Sequence, residues 1–315
     1  MRLITGDDIA AAGKRLDGRV VRTPLLDAPV LGADLGLRLA VKAENLQHTG
    51  SFKVRGATNA LLAHAERAGT PAGLVAFSAG NHAIAVAHVA RASGLPAVVC
   101  MPPHAVPAKL AAVRRLGAEA VLTDDLLATA EAVAAERGFH LLAPFDDPDV
   151  VAGQATVGRE ILADGPRPDL VLVPVGGGGL ISGIAAAVRA GSPTTRIVGV
   201  EPDGANAMSY ALRTGTHTLP VRPASVADGL AAPFAGRHTL AHVRALVDAV
   251  VEVPEAAILP AWADLVEATK LLVEPAAAVT LAALRAGLVE VAPGERTVLV
   301  LSGGNVSPAV LATLG

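Results

Sequence analysis

From position 74 onward the chain alternates short apolar runs with longer stretches of helical period. Residues 74–77, 97–101, 118–122, 170–175, 196–200 and 297–301 are nearly continuous apolar runs bounded by turn residues, which predicts strands. Between them, three- and four-residue apolar spacing over 81–93, 107–116, 126–137, 180–190 and 256–272 predicts helices, several of them ended by Gly or followed by Pro. Repeated strand-helix-strand order implies an α/β fold with mainly parallel sheets flanked by helices. Residues 73–148 hold their own strand-helix set, closed by the Pro-Phe-Asp-Asp-Pro stretch at 144–148. We therefore expect a small domain there and a discontinuous large domain made of 1–72 and 149–315, with the active site in the cleft between them.

Composition narrows the class. At 315 residues, 52% hydrophobic and 17% charged, the chain can bury a sizeable core. Aromatics are scarce (2%), so Val, Leu and Ala must fill that core and helices must pack closely. Lys and Arg (26) nearly balance Asp and Glu (29), and no basic block exists to hold a nucleic-acid backbone. Residues 170–188 carry no charge and match a membrane span in length, but Pro174 and the glycines that follow break them into a strand, a turn and a helix. A lone Cys100, and Asp7 and Asp8 where a leader peptide needs apolar residues, lead us to expect a cytoplasmic protein.

Ligands of parallel α/β sheets bind beyond the carboxyl ends of strands, and three predicted strands end in unusual loops. These are Ser78-Ala79-Gly80-Asn81-His82, the tetrad Gly176, Gly177, Gly178 and Gly179, and Ser302-Gly303-Gly304-Asn305. Each opens a helix. Backbone N–H groups in a glycine turn at a helix start attract phosphate, and the Ser78 loop suits a carboxylate. Taken singly, each loop is equally well a capped or permissive turn. Gly177 to Ser182 also falls one residue short of a dinucleotide pattern, with Glu201 placed as a ribose-binding acid, so a nicotinamide-dependent oxidoreductase stays open. Lys53 sits near the start of the helical pattern 53–68. A lysine buried at the positive end of a helix has a depressed pKa and a nucleophilic amine, suited to Schiff-base chemistry.

Together these motifs resemble the pyridoxal-phosphate enzymes of fold type II, the tryptophan-synthase-like group, and within it the threonine/serine dehydratases and serine racemases. The likeness runs through Gly50-Ser51-Phe52-Lys53-Val54-Arg55-Gly56-Ala57, the Ser78 loop, Gly153-Gln154, the glycine tetrad, Glu274-Pro275 and the Ser302 loop, in the family's order. It implies two domains with pyridoxal 5'-phosphate in the cleft between them. Lys53 would carry the cofactor as a Schiff base and act as the catalytic base. Gly176, Gly177, Gly178 and Gly179 would cradle the phosphate, Phe52 would flank the ring, Asn81 would bond its hydroxyl, Ser302 would face its nitrogen, and Glu274 would complete the cofactor site. Ser78, Asn81 and His82 would bind the substrate carboxylate. The implied activity is a threonine/serine ammonia-lyase yielding a 2-oxo acid, in a homo-oligomer, dimer or tetramer, with a small-molecule amino acid and neither nucleic acid nor membrane as partner.

Two departures refine this expectation. Where racemases of the family carry a second serine acting as acid/base opposite the lysine, this chain has Ala79, which argues for elimination over racemisation. The divalent-cation positions of the racemase branch fall on Glu201, Ala205 and Ala207; one carboxylate is missing, so no metal is expected. The motifs do not separate threonine or serine from another β-hydroxy amino acid such as 3-hydroxyaspartate. With Gly315 so soon after the Ser302 loop, the expectation is a catabolic or specialised dehydratase without the regulatory domain of the biosynthetic enzymes.

Overall fold

A computed structural model describes residues 1–312; Gly315 lies outside them. The strands are β1 (Leu25–Asp27), β2 (Arg38–Ala43), β3 (Leu74–Phe77), β4 (Ala97–Met101), β5 (Glu119–Leu122), β6 (His140–Leu141), β7 (Leu170–Pro174), β8 (Arg196–Pro202), β9 (Ala249–Val253) and β10 (Arg296–Leu301). The helices are α1 (Gly6–Leu16), α2 (Pro29–Leu35), α3 (Lys53–Ala68), α4 (Asn81–Ala92), α5 (Pro107–Arg115), α6 (Leu126–Arg137), α7 (Pro148–Asp164), α8 (Gly179–Gly191), α9 (Ala207–Thr214), α10 (Arg237–Leu246), α11 (Glu255–Thr269), α12 (Pro275–Arg285) and α13 (Pro308–Leu311).

Two sheets form, in the orders β1-β2-β10-β7-β8-β9 and β5-β4-β3-β6. All pairings are parallel except the edge pair β1–β2. Strand periodicity explains the layering. In β7, Leu170 and Leu172 face a core shared with α11 and α12, while Val171 and Val173 face one shared with α8 and α10. In the smaller sheet Leu74 and Ala76 face α3 and α4, and Val75 faces the side covered by α6.

The expected α/β class with parallel sheets is what the chain adopts. β5 starts one residue later than expected and β8 runs on to Pro202. β1, β2, β6 and β9 were not foreseen, nor were α1, α2, α7, α9, α10, α12 and α13. Helices pack as closely as the Ala-rich composition requires: a side chain on Gly153 of α7 would meet the Arg55 carbonyl of α3 at 2.6 Å, and one on Gly183 of α8 would meet the Val151 carbonyl of α7 at 2.6 Å.

In the larger sheet β2, β10 and β7 are neighbours, so their carboxyl ends deliver the Glu44–Lys53 segment, the Ser302 loop and the glycine tetrad side by side. The Ser78 loop at the end of β3 in the smaller sheet meets them from across the cleft.

Candidate active site

Lys53 is the first residue of α3. It is half-buried as a residue, and desolvation still pushes its amine down to about 8. The amine donates to the Pro144 carbonyl at 2.8 Å and lies 5.2 Å from the Phe52 ring centre and 6.0 Å from that of Phe145.

The glycine tetrad joins β7 to α8. Gly178 has φ +92°, a left-handed conformation that only glycine adopts readily. A side chain on Gly177 would collide with the Phe145 ring, which also packs against Phe234. The loop is held from behind: Thr239 Oγ1 donates to the Gly177 carbonyl at 2.6 Å, and Asp146 accepts from the N–H groups of Arg237, His238 and Thr239 at the start of α10. Among the described residues the N–H groups from Gly176 to Ile181 donate to no protein acceptor, whereas Ser182 N–H returns to the Gly178 carbonyl. Six donors at the positive end of a helix therefore converge on one loop.

Across the cleft, the N–H groups of Asn81, His82 and Ala83 at the start of α4 are likewise without acceptors among the described residues. Ser78 Oγ accepts from Gly80 N–H at 3.1 Å and shapes the loop. The Asn81 amide donates to both Glu274 oxygens (2.8 and 3.1 Å) and accepts from Asn305 Nδ2 (2.8 Å). A side chain on Gly303 would lie 2.9 Å from Glu274 Oε2, 3.1 Å from Ser51 Cβ and 3.2 Å from Asn81 Nδ2, so these groups close on one point. Burial raises the Glu274 carboxyl above its usual value, partly offset by Lys109 and Asn81. Ser302 is buried; its carbonyl accepts from Phe52 N–H at 3.2 Å, and its hydroxyl has no protein partner among the described residues.

The expected carboxylate-binding part of His82 falls to its backbone, not its ring. Its imidazole is buried, with Nε2 2.9 Å from the Leu142 carbonyl, and desolvation lowers its pKa to about 3. A neutral ring donating from Nε2 presents a lone pair at Nδ1, which repels a carboxylate. What His82 offers an anion is its backbone N–H.

Glu201 is buried and accepts from Met208 and Ser209 N–H (2.9 and 2.8 Å), capping α9 with both oxygens. That engagement removes the ribose-binding acid on which a dinucleotide reading depends. Among the described residues no three His, Cys, Asp or Glu side chains gather as a metal site. A groove of about 780 Å³ lined by α1, α7 and α8 contains none of Lys53, Asn81, Glu274 or Ser302.

Phe145, Asp146, Thr239 and the pair Lys109–Asp228 were not singled out from the sequence. The 144–148 stretch was visible as a crossover; Thr239 and Asp228 lie in segments with no local signal.

The match extends over residues 16–303 to pyridoxal-phosphate dependent enzymes. The chain belongs to that family. An L-threonine ammonia-lyase of Geobacter sulfurreducens is 45% identical over 95% of this chain and 75% of its own length. An L-threo-3-hydroxyaspartate ammonia-lyase of a Pseudomonas species is 38% identical over 100% of this chain and 99% of its own. The structure of maize serine racemase superposes with TM-score 0.92 at 35% identity, covering 99% of this chain and 97% of that one. Family members depend on pyridoxal phosphate, and the residues here fit it: a donor-rich loop for a phosphate, an amine held near 8 for a carbonyl, and a free hydroxyl at Ser302. Among the described residues no helix is long and apolar enough to cross a membrane.

Proposed function

We propose that this enzyme is a threonine/serine ammonia-lyase: the Cα proton and β-hydroxyl of its substrate leave as water, and hydrolysis of the dehydrated amino acid by a water molecule then gives ammonia and a 2-oxo acid. The observation that carries this reading is the convergence of two acceptor-free helix starts, at Gly179 and Asn81, on the cleft that contains the Lys53 amine. One anion site suits a phosphate and the other the carboxylate of an amino acid, with a base between them.

Bound pyridoxal phosphate supplies the carbonyl that captures the substrate amine and the conjugated ring that spreads charge from Cα. The N–H groups of the tetrad would hold its phosphate, with Thr239 and Phe145 keeping the loop in shape. Ser302 would meet the ring nitrogen of the bound group with a hydroxyl, which lacks an acid's full charge. Asn81, oriented by Glu274 and Asn305, lies alongside with its amide fixed. Lys53, with a pKa near 8, is partly neutral at physiological pH and takes the Cα proton at Nζ. Ala79 places a methyl group where a racemase needs a second proton donor, so a proton lost from Cα is not returned from the other side.

We further infer that the smaller unit takes in α3 along with 73–148, because Val54, Ala57, Ala60 and Leu61 of α3 join its core. A homo-oligomer in the cytoplasm, dimer or tetramer, completes the proposal; light scattering tests its size. The activity is tested by incubating cofactor-loaded enzyme with L-threonine, L-serine, D-serine and L-threo-3-hydroxyaspartate, following ammonia and 2-oxo acid, with chiral analysis of residual serine. Release of 2-oxobutanoate from L-threonine or pyruvate from L-serine supports the reading. Turnover confined to hydroxyaspartate reassigns the substrate, and D-serine formed from L-serine without ammonia overturns the elimination.

A further inference from the structure

Lys109, on α5, is a buried cation at 8% exposure that the reaction so far leaves without a part. Its ammonium donates to Asp228 Oδ2 at 2.6 Å. The pair crosses the cleft, since α5 packs with the smaller sheet and Asp228 begins a single 3-10 turn, Asp228–Leu230, between α9 and α10.

Both ends of the pair touch the site. On one side, a side chain on Gly80 would lie 3.8 Å from Lys109 Nζ, which puts the ammonium beside the loop assigned to the substrate carboxylate. On the other side, the residues that follow Asp228 reach the cofactor groups. A side chain on Gly229 would meet Glu274 Oε2 at 3.7 Å, and one on Gly176 would meet the Leu230 carbonyl at 3.1 Å. The turn therefore backs Glu274 and the first residue of the tetrad, while its leading carboxylate holds the cation beside the facing loop. Asp228 itself is mostly exposed, so water competes for one member of the pair and not for the other.

We propose that Lys109 and Asp228 form a positioning pair for substrate binding, setting the Ser78–His82 loop against the Asp228–Leu230 turn at the spacing an amino-acid carboxylate requires. The inference rests on the ammonia-lyase reading for its substrate and deepens it. The pair neither donates to nor accepts from the reacting atoms. Its loss therefore acts on KM far more than on kcat.

The test uses cofactor-loaded Lys109→Met, Asp228→Asn and Lys109→Arg enzymes with L-threonine and L-serine. Either neutralising variant is expected to raise KM about tenfold or more, the size of one charge-assisted hydrogen bond, with kcat held within about threefold and the absorbance of bound cofactor unchanged. Lys109→Arg keeps the charge and recovers most of the wild-type KM. Hydrogen exchange on the same samples is expected to quicken together at 78–83 and 228–231 in both neutralising variants. An unchanged KM, a fall in kcat alone, or faster exchange at only one of the two segments overturns the pair. Should wild-type enzyme turn over neither amino acid, the threonine/serine substrate assignment fails, and the exchange data still decide whether the two segments are coupled.

Discussion

Arg55 stands two residues after the reactive lysine and faces away from it, into a cluster buried beneath α3. Its guanidinium donates from Nε and Nη2 to the two oxygens of Glu44 at 2.8 Å each, and from Nη1 and Nη2 to the two oxygens of Glu160 at 2.6 and 2.8 Å. Thr156 Oγ1 and the Val21 carbonyl take what remains. Lys42 balances the second carboxylate, donating to Glu160 and to the Thr23 carbonyl at 2.6 Å each. Arg55, Lys42 and Glu44 are fully buried, so the cluster is two cations against two anions with almost no water to screen them.

Replacing Arg55 by Met conserves much of the volume and strands Glu44 in the interior. Removing one partner of a buried pair costs about 3–5 kcal/mol, far more than the net worth of the pair itself. The assay is urea unfolding of Arg55→Met, Glu44→Gln and the double variant, at matched cofactor saturation because a bound ligand adds its own stability. We expect each single substitution to cost about 3–5 kcal/mol. The double variant is expected to cost clearly less than their sum, with a coupling of at least about 1 kcal/mol. Lys in place of Arg55 is not expected to rescue, since an ammonium cannot address two carboxylates in fork geometry. A loss below about 0.5 kcal/mol in Arg55→Met, the level of an ordinary surface change, would refute the reasoning, and so would strict additivity.

Three further outcomes are expected. Lys53→Ala abolishes turnover and the visible absorbance that depends on a covalent link to the cofactor; turnover in a cofactor-loaded variant sinks that role. Gly177→Ala drives a methyl group into the Phe145 ring and weakens cofactor affinity at least about tenfold, while adding Phe145→Ala restores part of it; a single variant that titrates like wild type removes the packing argument. Glu201, raised by burial from 4.5 to about 7, keeps its proton in the folded state where the unfolded chain has released it, so its contribution to stability falls by about 3 kcal/mol as pH rises from 4.5 to 7 and is flat above. His82 acts in the opposite sense between about 3 and 6.5, because the unfolded chain takes up the proton that the folded one refuses. The difference between wild type and Glu201→Gln in urea titrations therefore isolates Glu201, and parallel pH curves count against it.

Of the six strands that sequence periodicity exposed, β3, β4, β7, β8 and β10 are buried along nearly their whole length, whereas β5 is a partly exposed edge strand whose Ala118-to-Leu122 run was still apolar enough to read. β2 escaped because Arg38 is exposed and Lys42 is buried only by virtue of Glu160, so its pattern breaks at both charges. β9 is a sheet edge with partly exposed residues, and β6 is two residues long. α7 carries Gly153 and Gly158, which weaken its helical pattern; they are there because α3 and α8 approach too closely for a side chain. In the site, the loops and Lys53 were legible because each follows a strand with an irregular, polar or glycine-rich sequence. Their supports were not, since Thr239 reaches Gly177 over 62 residues and Lys109 reaches Asp228 over 119.

The glycine tetrad carries a broader consequence. Phosphate binding alone asks for open N–H groups and at least one left-handed residue, which Gly178 supplies at φ +92°. It does not by itself require glycine at 177. That requirement comes from Phe145, whose ring occupies the space beside the loop and which lies in the crossover that also presents the Pro144 carbonyl to Lys53. One short segment thus touches the base through a carbonyl, the phosphate loop through a ring and α10 through Asp146. A displacement of the crossover would move the lysine's acceptor and the phosphate loop together. Cofactor affinity and the pKa of Lys53 are therefore expected to change in concert in Phe145 variants, whereas changes at Asn81 or Glu274, which hydrogen-bond each other and not the 144–146 segment, should separate the two.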